Sequence, residues 1–113
     1  MPDERTERIA LNESRFRDIN DRLVEDLAKL AQQPDVIPFV CECGRATCAA
    51  VLELTASEYE SIRANSRRFI VLAGHELPEV ERVVGEVSGH SVVEKLAASG
   101  SLVDATDPRR GRH

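Results

Sequence analysis

Three cysteines lie close together in this chain: Cys41, Cys43 and Cys48. Thiolates are soft ligands that suit zinc, which binds four ligands in a tetrahedron. Gly44 follows the second cysteine and can adopt the positive φ that a tight metal-binding turn often needs. The Cys-x-Cys-x4-Cys spacing differs from the standard Cys-x2-Cys pair. It still predicts a metal site, with reduced structural thiols or a redox switch as the alternatives.

A closed zinc site needs a fourth ligand, and a histidine is the natural supplement to three cysteines. His75 is the first choice, because it follows a predicted strand and Gly74 in a loop at the cysteine end of the sheet. His90, at the opening of the last predicted strand, is the second choice, and the terminal His113 is a poor one. We therefore predict a structural Zn²⁺ site.

The neighbouring acidic residues leave two interpretations open. Glu42 and Glu76 are either acceptors for the ligating groups or plain surface charges.

The same ligands also suit an iron–sulfur cluster, although the close Cys41-x-Cys43 pair favours zinc. A catalytic metal is the weaker interpretation, since three thiolates reduce the Lewis acidity of zinc. The zinc-deaminase pattern and the motifs H-E-x-x-H, G-x-S-x-G and the P-loop are all missing from the sequence. These absences favour a non-enzymatic protein and leave a metal-dependent enzyme as an open alternative.

The first third of the chain predicts a long amphipathic helix over residues 5–33, ended by Pro34. Its apolar stripe consists of Ile9, Phe16, Ile19, Leu23, Leu27 and Leu30. The stripe packs either on its own chain or, since the helix is long for so small a domain, on another protein or a second copy.

The remainder predicts a small metal-binding domain over residues 36–96 and a flexible tail over 97–113. Strands are expected at 36–41, 50–54, 68–72 and 91–96, and helices at 56–64 and 78–86. Thr55 and Glu58 form a capping-box pattern before the first of these helices. The predicted fold class is α+β, a long helix followed by β-β-α-β-α-β with a zinc-knuckle-like turn.

Composition narrows the class of protein. The chain has 113 residues, enough for one domain, and its net charge of −5 disfavours nucleic-acid binding. No apolar run is long enough for a transmembrane helix, and the charged N-terminus lacks the apolar region of a secretory signal. A cytoplasmic location is expected.

Residues 8–96 resemble small uncharacterised bacterial proteins of actinobacterial type. The resemblance rests on a charged first helix, the Cys-x-Cys-Gly-x4-Cys turn, Gly74-His75-Glu76 and the segment Val92-Val93-Glu94-Lys95. It implies that this unit recurs as a standalone protein and supports His75 as a ligand. It implies no activity or partner.

The leading functional hypothesis is a zinc-stabilised module for protein interaction or regulation. The alternative is a thiol-based redox or metal sensor that releases zinc or holds an iron–sulfur cluster. A metal-dependent enzyme and a nucleic-acid binder follow in that order.

Overall fold

A computed structural model describes residues 3–109, apart from the side chain of Ala98. The elements in chain order are α1 (Glu4–Leu27), β1 (Ile37–Val40), β2 (Val51–Leu54), α2 (Ala56–Arg63), β3 (Arg68–Val71), β4 (Glu81–Val87), β5 (His90–Lys95) and α3 (Ala97–Ala105). The antiparallel strands β1 and β2 form one small sheet, and β3, β5 and β4 form a second in that spatial order. The α+β class is confirmed.

Two helices begin where side-chain caps satisfy their free backbone amides. The Asp3 carboxylate accepts from Thr6 N at 2.8 Å at the start of α1. At the start of α2, Thr55 Oγ1 accepts from Glu58 N, and the Glu58 carboxylate accepts from Thr55 N. These reciprocal bonds are the predicted capping box.

The predicted helix over 78–86 is wrong, because this segment contains strand β4. Ser88 and Gly89 have φ values of 51° and 82°, which suit a two-residue hairpin turn of the kind that follows the twist of its strands. This turn joins β4 directly to β5, and the valines of β4 suit a strand. Their helical spacing is coincidental. The strand is also irregular, with a register shift between Val83 and Gly85.

Residues 97–105 form helix α3, where the sequence predicts a flexible tail. The local sequence of α3 contains few helix signals. Its helical conformation therefore depends on tertiary contacts with α1. Val103 is fully buried, and its carbonyl accepts from Arg17 Nη2 at 2.8 Å. Ser14 Oγ lies 2.7 Å from Thr106 Oγ1. Residues 110–113 of the predicted tail lie outside the described residues.

Helix α1 ends at Leu27 rather than near residue 33, and it buries a polar face. Its most deeply buried polar side chains are Glu13, Arg17, Asn20 and Asp21. Of the predicted apolar stripe only Ile9 is buried, while Ile19 and Leu30 are each 50% exposed. Leu23 and Leu27 are partly buried and pack against the core, and Leu30 lies beyond the end of α1.

Two sets of ion pairs hold the polar face of α1. In the first, Lys95 Nζ lies 2.6 Å from Glu13 Oε1 and 2.8 Å from Glu81 Oε1, with only the second contact in hydrogen-bond geometry. All three side chains are fully buried. Since one ammonium faces two carboxylates, burial and the neighbouring Glu81 raise the pKa of Glu13 well above its usual value.

The second set connects α1 to α2 and to the segment after α3. The Arg63 guanidinium donates to both carboxylate oxygens of Asp21, at 3.0 and 2.9 Å, and also to Asp107. Beside it, the buried Arg17 guanidinium lies 4.5 Å from the centre of the Phe69 ring. These contacts satisfy cations that would otherwise be costly to bury.

Replacement of Glu13 by Gln tests the first set of ion pairs. The pKa of Glu13 is higher in the folded state than in the unfolded state. Glu13 therefore stabilises the fold fully at pH values below its unfolded pKa, and this stabilisation is lost as the pH rises through the folded pKa. Glu13→Gln removes this loss, so its melting temperature relative to wild type should increase between pH 5 and 8. Circular dichroism melts measure this difference, with Glu7→Gln on the exposed face as the matched control. A pH-independent difference would contradict the prediction.

Candidate metal centre

The cysteine segment connects β1 to β2 and is held by few backbone bonds. Cys41 N donates to Ala50 O at 3.0 Å, which extends the strand pairing by one residue. Cys48 N donates to Arg45 O at 3.0 Å and closes the turn. His75 approaches from the loop after β3, where Gly74 has a φ of 93° and His75 N donates to Leu72 O. The histidine loop therefore faces the cysteine turn, as the sequence predicts.

The three sulfurs and a His75 ring nitrogen converge. One ligand atom from each of Cys41, Cys43, Cys48 and His75 lies within 4.8 Å of every other. His75 Nδ1 is 3.7 Å from Cys41 Sγ and 3.6 Å from Cys48 Sγ. Zinc–sulfur bonds of about 2.3 Å in a tetrahedron place neighbouring ligand atoms about 3.7 Å apart. The cluster is therefore close enough to hold a metal ion.

The cluster has a protected side and an accessible side. Cys41 and Cys43 are buried, at 1% and 0% exposure, whereas Cys48 and His75 are only partly buried. The hydrogen bond between the two buried sulfurs lowers the pKa of Cys43 to about 5 and raises that of Cys41. Leu72 N also donates to Cys41 Sγ, at 3.2 Å. A thiolate is thus favoured at Cys43, where a cation would sit.

Glu42, between two of the cysteines, is a fully buried residue of the core rather than an acceptor for the ligands or a surface charge. Its carboxylate accepts from Asn20 Nδ2 at 2.8 Å, from the Tyr59 hydroxyl at 2.6 Å and from Ile70 N at 3.1 Å. Its own N–H donates to Ile70 O at 2.8 Å. Burial raises the pKa of Glu42, while its hydrogen-bond donors act in the opposite direction.

Helix α1 contacts the cysteine turn through two asparagines. The Asn20 carboxamide accepts from Val40 N and donates to Val40 O, both at 2.9 Å, so it occupies the free edge of β1 as a neighbouring strand would. Asn12 Nδ2 donates to Gly44 O at 3.0 Å. Neither asparagine belongs to a recognisable motif, and the sequence offers no signal for them.

Gly44 is required for close approach rather than for a positive φ, which the structure records for Gly74 and Gly89 but not for Gly44. A Cβ atom at Gly44 would lie 2.6 Å from Ile9 Cγ2 and 3.0 Å from Leu77 Cδ1. The turn and α1 are therefore in direct contact here.

The other candidate residues lie elsewhere. His90 begins β5 beside the hairpin turn and is not in the cluster. Glu76 accepts from Gly74 N at 3.0 Å and so supports the histidine loop. His113 lies outside the described residues.

Comparison with protein-family models, with curated proteins and with solved structures finds no match. Across residues 3–109, no helix combines the length and the apolar character that crossing a bilayer requires.

Gly44→Ala tests the contact between α1 and the turn. The added methyl group collides with the branched side chain of Ile9, and overpacking of this kind lowers the free energy of unfolding by about 1–3 kcal/mol. Gly85→Ala is the matched control, because nothing lies within 4 Å of a Cβ atom there. Urea unfolding of both variants measures the difference. Equal stability of the two variants would show that the contact is looser than described.

Proposed function

We propose that this protein is a zinc-stabilised module for protein interaction or regulation. A single zinc ion is bound by Cys41, Cys43, Cys48 and His75 Nδ1. The observation that supports this proposal is the mutual approach of four ligand atoms within 4.8 Å. Three thiolates and one imidazole complete the four-coordinate shell that structural zinc prefers.

The spacing of the ligand atoms favours one ion over an iron–sulfur cluster. The thiolates of such a cluster bind different irons, with bridging sulfides between them, and therefore stand farther apart than ligands that share one ion. Ligand atoms that all lie within 4.8 Å of one another leave room for a single ion. Three thiolate ligands also favour zinc over the harder divalent ions.

A structural role suits the site better than a catalytic one. Four protein ligands leave no open position for substrate or water. Cys41 and Cys43 are buried, and α1 lies against the turn through Asn12 and Gly44. With three thiolates, the complex carries a net negative charge, which weakens zinc as a Lewis acid.

The surface for a protein partner is the exposed side of α1. Leu11 and Ile19 are 47% and 50% exposed there. Arg8, Arg15 and Arg22 are also exposed, and they recur every seven residues beside the apolar stripe. Arg22 pairs with Asp18 at 3.2 Å. Glu4 and Glu7 lie beside Leu11 as well, so the three arginines are the pairing sites for an amphipathic helix that carries carboxylates beside its apolar side.

Charge disfavours a second copy of the chain as that partner. In an antiparallel pair of identical helices, the basic row of one copy faces the basic row of the other. In a parallel pair, the row faces positions equivalent to Glu13 and Asn20, which are fully buried in their own chain. Neither orientation places an accessible carboxylate at the positions that face these three arginines, so we favour another protein.

One observation favours a thiol-based sensor as the second candidate function. Cys48 and His75 are only partly buried, so an oxidant can reach one thiolate of the site. Hydrogen peroxide would take two electrons from two thiolates, giving one disulfide, two waters after uptake of two protons, and free zinc. Zinc release at about one equivalent of peroxide supports a sensor, and retention of zinc supports the structural site.

Elemental analysis by mass spectrometry tests the zinc site. The purified chain should carry one zinc per molecule. His75→Ala should lower zinc affinity by on the order of 100-fold or more, because it removes a direct ligand. His90→Ala is the matched control and should retain full occupancy. Iron in place of zinc, or full occupancy in the His75 variant, would refute this ligand set.

A synthetic helical peptide tests the partner surface. The probe has leucine on one face and glutamate on both flanks, and its control has lysine at the glutamate positions. Fluorescence anisotropy should show binding of the acidic peptide only, weakened about tenfold or more by Arg8→Glu combined with Arg15→Glu. Sedimentation should show a monomer. A dimer that the same variant dissociates would instead indicate self-association, and binding of a DNA oligonucleotide in place of the peptide would indicate a nucleic-acid surface.

A further inference from the structure

The metal centre and α1 share one hydrogen-bonded junction. Asn20 binds both backbone polar groups of Val40, the residue immediately before the first ligand. Its second amide proton goes to Glu42, which lies between the first two ligands. Asn12 holds Gly44, the residue immediately after the second ligand. Residues 40, 42 and 44 therefore contact α1, while residues 41 and 43 are ligands.

The turn depends on the metal for its order. The two strands that flank it have four residues each, and a two-stranded sheet of this size is marginal by itself. From Cys41 to Cys48, the backbone–backbone bonds are those of Cys41 N to Ala50 O, Glu42 N to Ile70 O and Cys48 N to Arg45 O. A shared ion connects three points of this turn to His75 beyond β3. Without the ion, the Cys41–Cys43 hydrogen bond and the donation from Leu72 N to Cys41 Sγ remain, and neither of these two bonds reaches Cys48.

Helix α1 is suited to leaving when the turn relaxes. The side chains that it buries are largely polar, including Glu13, Arg17, Asn20 and Asp21. Water can solvate these groups and their partners Glu42, Arg63 and Lys95 after release. The apolar contacts that undocking removes are those of Ile9, Ala10, Leu23, Val24 and Leu27. Docking in turn requires partners in register, since a buried Asn20 without Val40 and Glu42 would carry unsatisfied polar groups.

We infer that metal occupancy controls the docking of α1, so that loss of the ion releases this helix from the rest of the fold. The inference rests on the proposed zinc site and adds its regulation. The ligand class is a soft divalent cation bound by thiolate and imidazole. Release also removes the fixed orientation of Leu11 and Ile19, so a partner that binds the docked helix binds the metal-loaded form.

Hydrogen–deuterium exchange on the full chain tests the release. Zinc-loaded protein is compared with the same protein after chelation, with zinc content measured in both samples. Amides in the middle of α1, over residues 13–24, should exchange at least tenfold faster after chelation, while amides of β3 and β5 remain protected. Unchanged α1 exchange after verified zinc loss would overturn the inference and leave the zinc site intact. Equal acceleration over the whole chain would also overturn it. Absence of zinc at the start would overturn the proposed function and this inference together.

Reciprocity gives a second test that does not depend on chelation. If zinc favours docking, docking must favour zinc by the same factor. Asn20→Ala should therefore lower zinc affinity by about 5- to 100-fold in competition with a chromophoric chelator. Asn12→Ala, which removes one bond, should act in the same direction by a smaller factor and covers the case in which the first variant fails to fold.

Ser61→Ala is the matched control for the affinity measurement. Ser61 is exposed on α2, and its hydroxyl donates to Ser57 O at 3.0 Å, so the variant removes one hydrogen bond within α2 rather than a contact of α1. It should change zinc affinity less than twofold. Equal losses in the Ser61 and Asn20 variants would show a general loss of stability, and unchanged affinity in both asparagine variants would show that these bonds do not couple the metal to α1. Either result overturns the inference.

Discussion

The buried carboxylate of Glu42 is the constraint on which the rest of the structure depends. A carboxylate without hydrogen bonds is costly to bury, so each of its donors must be in place when the chain is folded. Those donors come from three different elements: Asn20 on α1, Tyr59 on α2 and Ile70 on β3. Because Glu42 also lies between two cysteines, the same contacts orient the ligands. The hydrogen bonds of the Glu42 carboxylate therefore fix the positions of α1, α2 and β3 around the candidate metal centre.

In this small domain, polar contacts hold together elements that apolar packing alone would hold together in a larger domain. The chain has few aromatic residues, and the ring pair of Phe39 and Tyr59, with centroids 4.4 Å apart, stacks beside Glu42. Around it, Arg17 covers Phe69, and Arg63 joins Asp21 to the segment after α3. Buried ion pairs of this kind often add no more net stability than apolar groups of equal volume, but removing one partner of a pair is strongly destabilising. A metal cross-link is a fitting supplement to such a core.

This arrangement places the candidate metal centre in direct contact with a long helix. Helix α1 contacts the cysteine turn directly, through short-range hydrogen bonds and through the close approach of Ile9 to Gly44. No relay through intervening residues is needed. The exposed side of α1 is the surface that we propose for a partner, and its buried side contacts the cysteine turn.

The sequence by itself determined the local features. The four residues that the fold brings within 4.8 Å are the four that the spacing and the histidine loop singled out, and the capping box of α2 forms as its pattern predicts. Tertiary structure decided the rest. β4 is a strand because a hairpin turn pairs it with β5, and α3 is a helix because α1 binds it. The buried face of α1 is polar because Glu42, Arg63 and Lys95 supply partners from distant parts of the chain. Local sequence patterns cannot identify such distant partners. A charged residue is therefore predicted to be exposed unless its oppositely charged partner is known.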